Sequence, residues 1–248
     1  MASLDSVRQK IGHAKTYLDL VKSEVQRYLD ANQSEFVPNA SSDPNQPTFT
    51  VRPKSPIPER ISLIVGDCLQ NLRTSLDYLV WELVLAAGNT PGKKHMFPVC
   101  LTPDGFKSAE SRGQLQGVDG AAITLIKSFQ PYLDGQPSAT CLAILDELTN
   151  INKHRRLLLT EFSTLSIREL TDTMGVWLKA GSPDLTALAH NAGIGRTVTA
   201  EQMNMQGDLI PFVAFNEGAV KEMDVRFMLE GLVAYVSSLV DRFDSFFP

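Results

Sequence analysis

Cysteine is scarce in this sequence and unpaired in pattern. Cys68, Cys100 and Cys141 are an odd number, widely spaced, with no CxxC. Cys68 and Cys141 fall among aliphatic residues, which predicts buried free thiols in a reducing compartment. Four histidines lie far apart in the chain, so no metal site is expected. Positive charge is short as well: 23 Lys and Arg stand against 28 Asp and Glu, a net −5 with a pI near 5.4. There is no global basic field to attract nucleic acid, and contact with a polyanion would need a local patch. Long apolar runs are missing. The most apolar stretch, Leu79 to Ala87, is interrupted by Glu82 and is too short to span a bilayer. "MASLDSVRQKIG" has no apolar signal core, so a soluble cytoplasmic protein without membrane contact is expected. No GxSxG elbow, P-loop or HExxH occurs. "NAGIGR" at 191 to 196 follows no clear strand and opens no helix, unlike a phosphate cradle. No cofactor is expected.

What is present reads as 248 residues with 43% hydrophobic content, ample for a sizeable core. Leu4, Val7, Ile11, Ala14, Leu18, Val21, Val25 and Tyr28 recur at three- and four-residue steps. They predict one long helix over residues 3 to 30, with Ser3 as N-cap. A Pro-, Ser- and Asn-rich loop follows to residue 47, then "TFTVRP" as a short strand. The next helix runs from Pro58 to Ala87 and stops at Gly88 and Asn89. From there to Val118 the chain is punctuated by Gly and Pro, with one short extended piece at most. Residues 119 to 131 and 138 to 153 read as helices. The runs "RLLLTEFSTLSI", "MGVWLKA" and "DLIPFVAF" read as strands, with a loop-like segment between the last two. A periodic helix, Lys221 to Phe246, closes the chain. The expected fold is α+β, mainly a helical bundle with a small antiparallel sheet. One domain, 1–248, would carry a helical core at 1–30, 58–153 and 221–247 and a small sheet insertion at about 156–216.

Within the 58–87 helix, "GDCLQNLRTSLDYLVWEL" has two readable faces. At ~100° per residue, Val65, Cys68, Leu69, Leu72, Leu76, Leu79, Val80 and Leu83 share the core side. Opposite them run Asp67, Asn71, Thr74, Tyr78 and Trp81 at steps of four, three, four and three. Gln70, Arg73 and Asp77 lie alongside, with Arg73 and Asp77 spaced for an ion pair worth a few tenths of a kcal/mol where such a pair is exposed. The mixture of Trp and Tyr with Asp, Asn and Arg suits a covered or lined groove better than a plain solvated face.

In "LDELTNINKHRRLLL", Asn152 projects into an aliphatic face made by Leu142, Ile144, Leu145, Leu148 and Ile151. A buried Asn needs partners for its amide, and the polar side of the 58–87 helix is the expected source. Lys153, His154, Arg155 and Arg156 form the concentrated positive charge of the chain, at a helix end where cations are favoured.

These two segments resemble a pair of motifs in poorly characterised bacterial proteins, which carry an Asn-Leu-Arg…Leu-Asp helix and an Asn/Asp-Lys-His-Arg segment. The first also resembles the Arg-x4–6-His element of HEPN domains, helical bundles that often act as metal-independent ribonucleases in defence and toxin–antitoxin systems. Arg73 matches the arginine, whereas the position five residues on is Tyr78 rather than His. A tyrosine with its reference pKa near 10 is a poor general base at neutral pH.

Two function classes follow. In the first, a HEPN-like nuclease uses Arg73 and His154 as catalytic residues, with Lys153 and Arg155 on RNA phosphate in a small composite site. In the second, a non-catalytic or degenerate HEPN-like module binds a small ligand, RNA or a partner protein in a groove. Asp67, Asn71, Asp77, Tyr78, Trp81, Asn152, Lys153 and Arg155 would line it. The second reading is preferred, with a homodimer as the expected assembly. Both require Arg73 and His154 to border one cavity.

Overall fold

The computed structural model describes residues 2–32, 35–38, 48–52, 54–157, 159–164, 197–199 and 210–247. The molecule is mainly helical. The helices are α1 (Asp5–Ala31), α2 (Glu59–Ala86), α3 (Pro103–Ser111), α4 (Gly120–Ser128), α5 (Cys141–His154) and α6 (Val225–Asp241).

All eight apolar seam residues of α1 are buried, as are the eight of the core side of α2. Alternating three- and four-residue spacing keeps each set on one side of a 3.6-residue helix, so two such seams can close on each other. They do so in antiparallel sense. The Ser3 amide donates to Glu82 Oε2 at 3.1 Å, while at the far end Arg60 meets Glu24 at 3.4 Å. α6 packs against α1, α2 and α5. Buried residues of all six helices, with Val213 and Phe215, form a single hydrophobic cluster. No described helix is long and apolar enough to cross a membrane.

Element ends differ from the periodicity in instructive ways. Leu4, not Ser3, is the N-cap of α1, and the Ser3 hydroxyl instead accepts from the Asp5 amide at 3.3 Å. α6 starts at Val225 because Glu222 has φ +72 and Asp224 caps the helix by accepting from the Arg226 amide at 2.7 Å. α3 lies in the region expected to hold no helix. Its signal is local: Thr102 accepts from the Gly105 amide at 3.1 Å and Pro103 occupies the first turn, a normal start.

Short strands are β1 (Glu35–Pro38), β2 (Thr48–Arg52), β3 (Leu159–Thr164), β4 (Thr197–Thr199) and β5 (Ile210–Phe215). β1–β2, β2–β4 and β3–β5 pair antiparallel, the last in register from Leu159↔Phe215 to Thr164↔Ile210. β1 falls in the segment expected to be loop. The expected strand "MGVWLKA" lies outside the described residues.

Candidate functional site

Three contacts set the register of α2 against α5. Arg156 meets Glu59 at 2.6 Å. A methyl group at Gly66 would lie 2.3 Å from Asn152 Oδ1. Arg73 Nε donates to Asp146 Oδ1 at 3.3 Å. Residue numbers rise on α2 as they fall on α5, so the helices are antiparallel.

Arg73 is the centre of the polar contact. Its Nη1 donates to Asp77 Oδ1 at 2.6 Å and its Nη2 to the Phe97 carbonyl at 2.9 Å. With Nε on Asp146, the guanidinium fork is engaged on three sides, and Arg73 is only 8% exposed. Asp77 Oδ1 also accepts from the Phe97 amide at 2.9 Å. Arg73 and Asp77 thus hold both backbone polar groups of Phe97, whose ring is wholly buried. From the other side Gln130, also buried, accepts from the Cys100 amide at 3.0 Å and donates to the Pro98 carbonyl at 2.9 Å. This clamp ties the segment between α2 and α3 to the helical core. The expected Arg73–Asp77 pair forms, and its arginine is largely desolvated with several partners, where each charged hydrogen bond counts for more.

Asn152 is half-buried, and its amide makes no hydrogen bond among the described residues. The expected buried hydrogen-bond hub is corrected on that ground. What Asn152 does is pack on Gly66, all three terminal atoms of its amide lying within 2.3–2.7 Å of where a Cβ would stand. The hub is Asp146, which takes Arg73 and also accepts from Asn150 Nδ2 at 3.1 Å.

The partners of Arg73 among the described residues do not include His154. His154 is exposed at the end of α5, eight residues beyond Asp146, or about 12 Å along the helix axis. No described contact joins it to Arg73. The antiparallel register is the physical reason: it pairs Arg73 with the middle of α5 rather than with its C-terminal end. The basic cluster is itself partly neutralised, since Arg155 pairs with Glu217 and Arg156 with Glu59. Lys153 reaches Asn150 Oδ1 at 3.3 Å.

The expected groove is replaced by an open face. Asp67, Tyr78 and Trp81 are exposed, the two aromatics by 40% and 44%, and Asn71 turns its amide back to the Asp67 carbonyl at 2.8 Å. Leu63 and Leu85 are exposed on the same side. The Lys10 ammonium, from α1, stands 5.7 Å from the Tyr78 ring centroid.

Nucleophiles and metals find little support here. Burial pushes the Cys68 and Cys141 thiols up to about 12, so both stay protonated and unreactive. Among the described residues no group of three or more His, Cys, Asp or Glu could hold a metal ion. Comparison with known proteins finds no matching family model, no matching curated protein and no matching solved structure.

Gly66, Phe97, Gln130 and Asp146 are the working residues that sequence reasoning missed. A glycine inside a strong helical pattern is a legible sign of close approach. Nothing in the spacing, by contrast, links Asp146 or Phe97 to Arg73.

Proposed function

We propose that this protein is a non-catalytic, HEPN-like binding module that presents the outer face of α2 to a partner protein. One contrast carries the reading: Arg73 is sealed in the interior with its donors engaged, while Tyr78 and Trp81 stand in solvent. A catalytic arginine must reach substrate. An exposed aromatic stripe without walls suits a protein surface better than a small ligand, which binds in concave sites. RNA is disfavoured by the net charge of −5 and by the acidic partners of Arg155 and Arg156, since phosphate binding depends on free cations. The reading takes the chain as one cytoplasmic domain with a small antiparallel sheet within about 156–216. The buried cluster shared by all six helices and the β3–β5 pairing support the domain and the sheet.

The test is incubation of the full chain with single-stranded RNA in the presence of a chelator. No cleavage is expected from the parent or from His154→Ala. Reproducible cleavage by the parent that disappears in His154→Ala would restore the ribonuclease and overturn the binding module.

A further inference from the structure

The outer face of α2 has a symmetry that a general docking surface does not need. Thr74, half-buried and small, sits at its middle. Four residues to either side are Gln70 and Tyr78; seven to either side are Asp67 and Trp81; eleven to either side are Leu63 and Leu85. At ~100° per residue these positions fall within about 80° of one another, so they form one stripe, about 33 Å long from Leu63 to Leu85. Both ends are apolar and open, Leu63 by 59% and Leu85 by 40%. Monomeric proteins seldom leave a Trp, a Tyr and two Leu aligned in solvent.

We infer that this face takes a second copy of the same chain, through a two-fold antiparallel contact of α2 on α2 centred on Thr74. The inference rests on the proposed role of the α2 face as the docking surface and names its occupant. A two-fold contact sets each position against the one equally far on the other side of the centre. Leu63 then meets Leu85 of the second copy at both ends, and the small Thr74 lets the helices approach at the crossing.

Charge complementarity singles out this occupant. Lys10 stands beside Tyr78 on one edge of the stripe. The two-fold operation keeps each residue on its own edge and brings Asp67 of the second copy to the level of Trp81, one turn from Tyr78. Asp67 lies on the same edge as Tyr78, at about 40° against 60° from Leu63. Within one chain Asp67 is eleven residues from Tyr78, about 16 Å along the axis, so a Lys10–Asp67 pair forms only across the interface. The contact has a positive and a negative group at each of its two symmetry-related ends, both along the edge that carries Tyr78 and Asp67.

The experiment is the mass of the full chain in solution by sedimentation equilibrium, across a range of concentrations, with four single variants and one double variant. The parent is expected to approach twice 27.3 kDa. Trp81→Glu is expected to be monomeric with its helical circular dichroism unchanged. Lys10→Glu and Asp67→Lys should each weaken the dimer, on the order of tenfold for a lost rim pair, and the two together should restore it. Thr74→Cys should form a covalent dimer on mild oxidation, because the three native cysteines are buried. A parent that stays monomeric throughout overturns the second copy. So does a monomer that Trp81→Glu destabilises, which would place part of the same chain on the face. A dimer indifferent to Trp81→Glu, with no Thr74→Cys cross-link, overturns the α2 contact. None of these outcomes depends on RNA cleavage, which separately decides whether the module is catalytic.

Discussion

The two sides of α2 are built from the same helix and do opposite things with polar residues. On the inner side Arg73 is almost wholly desolvated, yet each of its donor directions ends on a carboxylate or a carbonyl. On the outer side Tyr78 and Trp81 are apolar bodies left in water, and Asp67 and Asn71 make only solvent or intrahelical contacts. Buried polarity survives only when its partners are supplied. Exposed aromatic surface costs a monomer solubility, which is why the proposed contact is placed there. The charged motif "NLRTSLD" is therefore a structural clamp, and the aromatic residues beside it are the candidate contact surface.

Truncation of the inner side should give the largest effects. Leu72 and Leu76 are fully buried, so replacing either with Ala should destabilise by about 2–5 kcal/mol through lost transfer energy and the cavity left behind. Chemical denaturation measures this directly. Values below 1 kcal/mol would mean that the inner side is not the packed one.

Arg73→Ala should come next, at about 3 kcal/mol, because it removes the donor of the buried Phe97 carbonyl and the cation shared by two carboxylates. Arg73→Lys should recover only part of the loss, since one ammonium cannot reach three separately placed acceptors. Hydrogen exchange should show the Phe97 amide less protected in both variants. An Arg73→Ala protein as stable as the parent would erase the distinction between the two sides.

The smallest expected effect lies where α2 meets α5 at Gly66. Gly66→Ala puts a methyl group within 2.3–2.7 Å of the Asn152 amide, which should cost about 1–3 kcal/mol as overpacking. Asn152→Ala in the same chain should recover most of it, because the two residues touch and their effects are then not additive. Additive losses would show that Asn152 is held by something other than the glycine contact.

Much of this architecture was legible in advance. The seams of α1, α2 and α6 are repeated often enough to define helix, face and core together, and their apolar residues are buried except Phe246 at the C-terminal end, which is half-buried. Ends were harder, since Glu222 breaks the C-terminal pattern with a positive φ that its side chain does not announce. α3 was missed because nine residues (Pro103–Ser111) with two buried positions carry little periodicity, and its capping signal was outweighed by the surrounding Gly and Pro. At the site the polar stripe and the basic cluster are legible as residues, but their partners are not. Arg73 and Asp146 are 73 positions apart, and no local rule connects them.

By itself, then, the sequence determined the long helices, their core faces, the absence of a membrane-spanning helix among the described residues and the concentration of unusual side chains on α2. Hydrophobic periodicity is a local property, and each helix carries its own record of which side must leave water. Only the tertiary structure decided that α5 lies antiparallel on α2 with Asn152 on Gly66 and Arg73 on Asp146, which closes the arginine off from His154 and leaves Tyr78 and Trp81 facing outward. That choice depends on the register between two buried surfaces, where steric fit at one glycine and hydrogen-bond satisfaction at one guanidinium outweigh anything the separate segments specify.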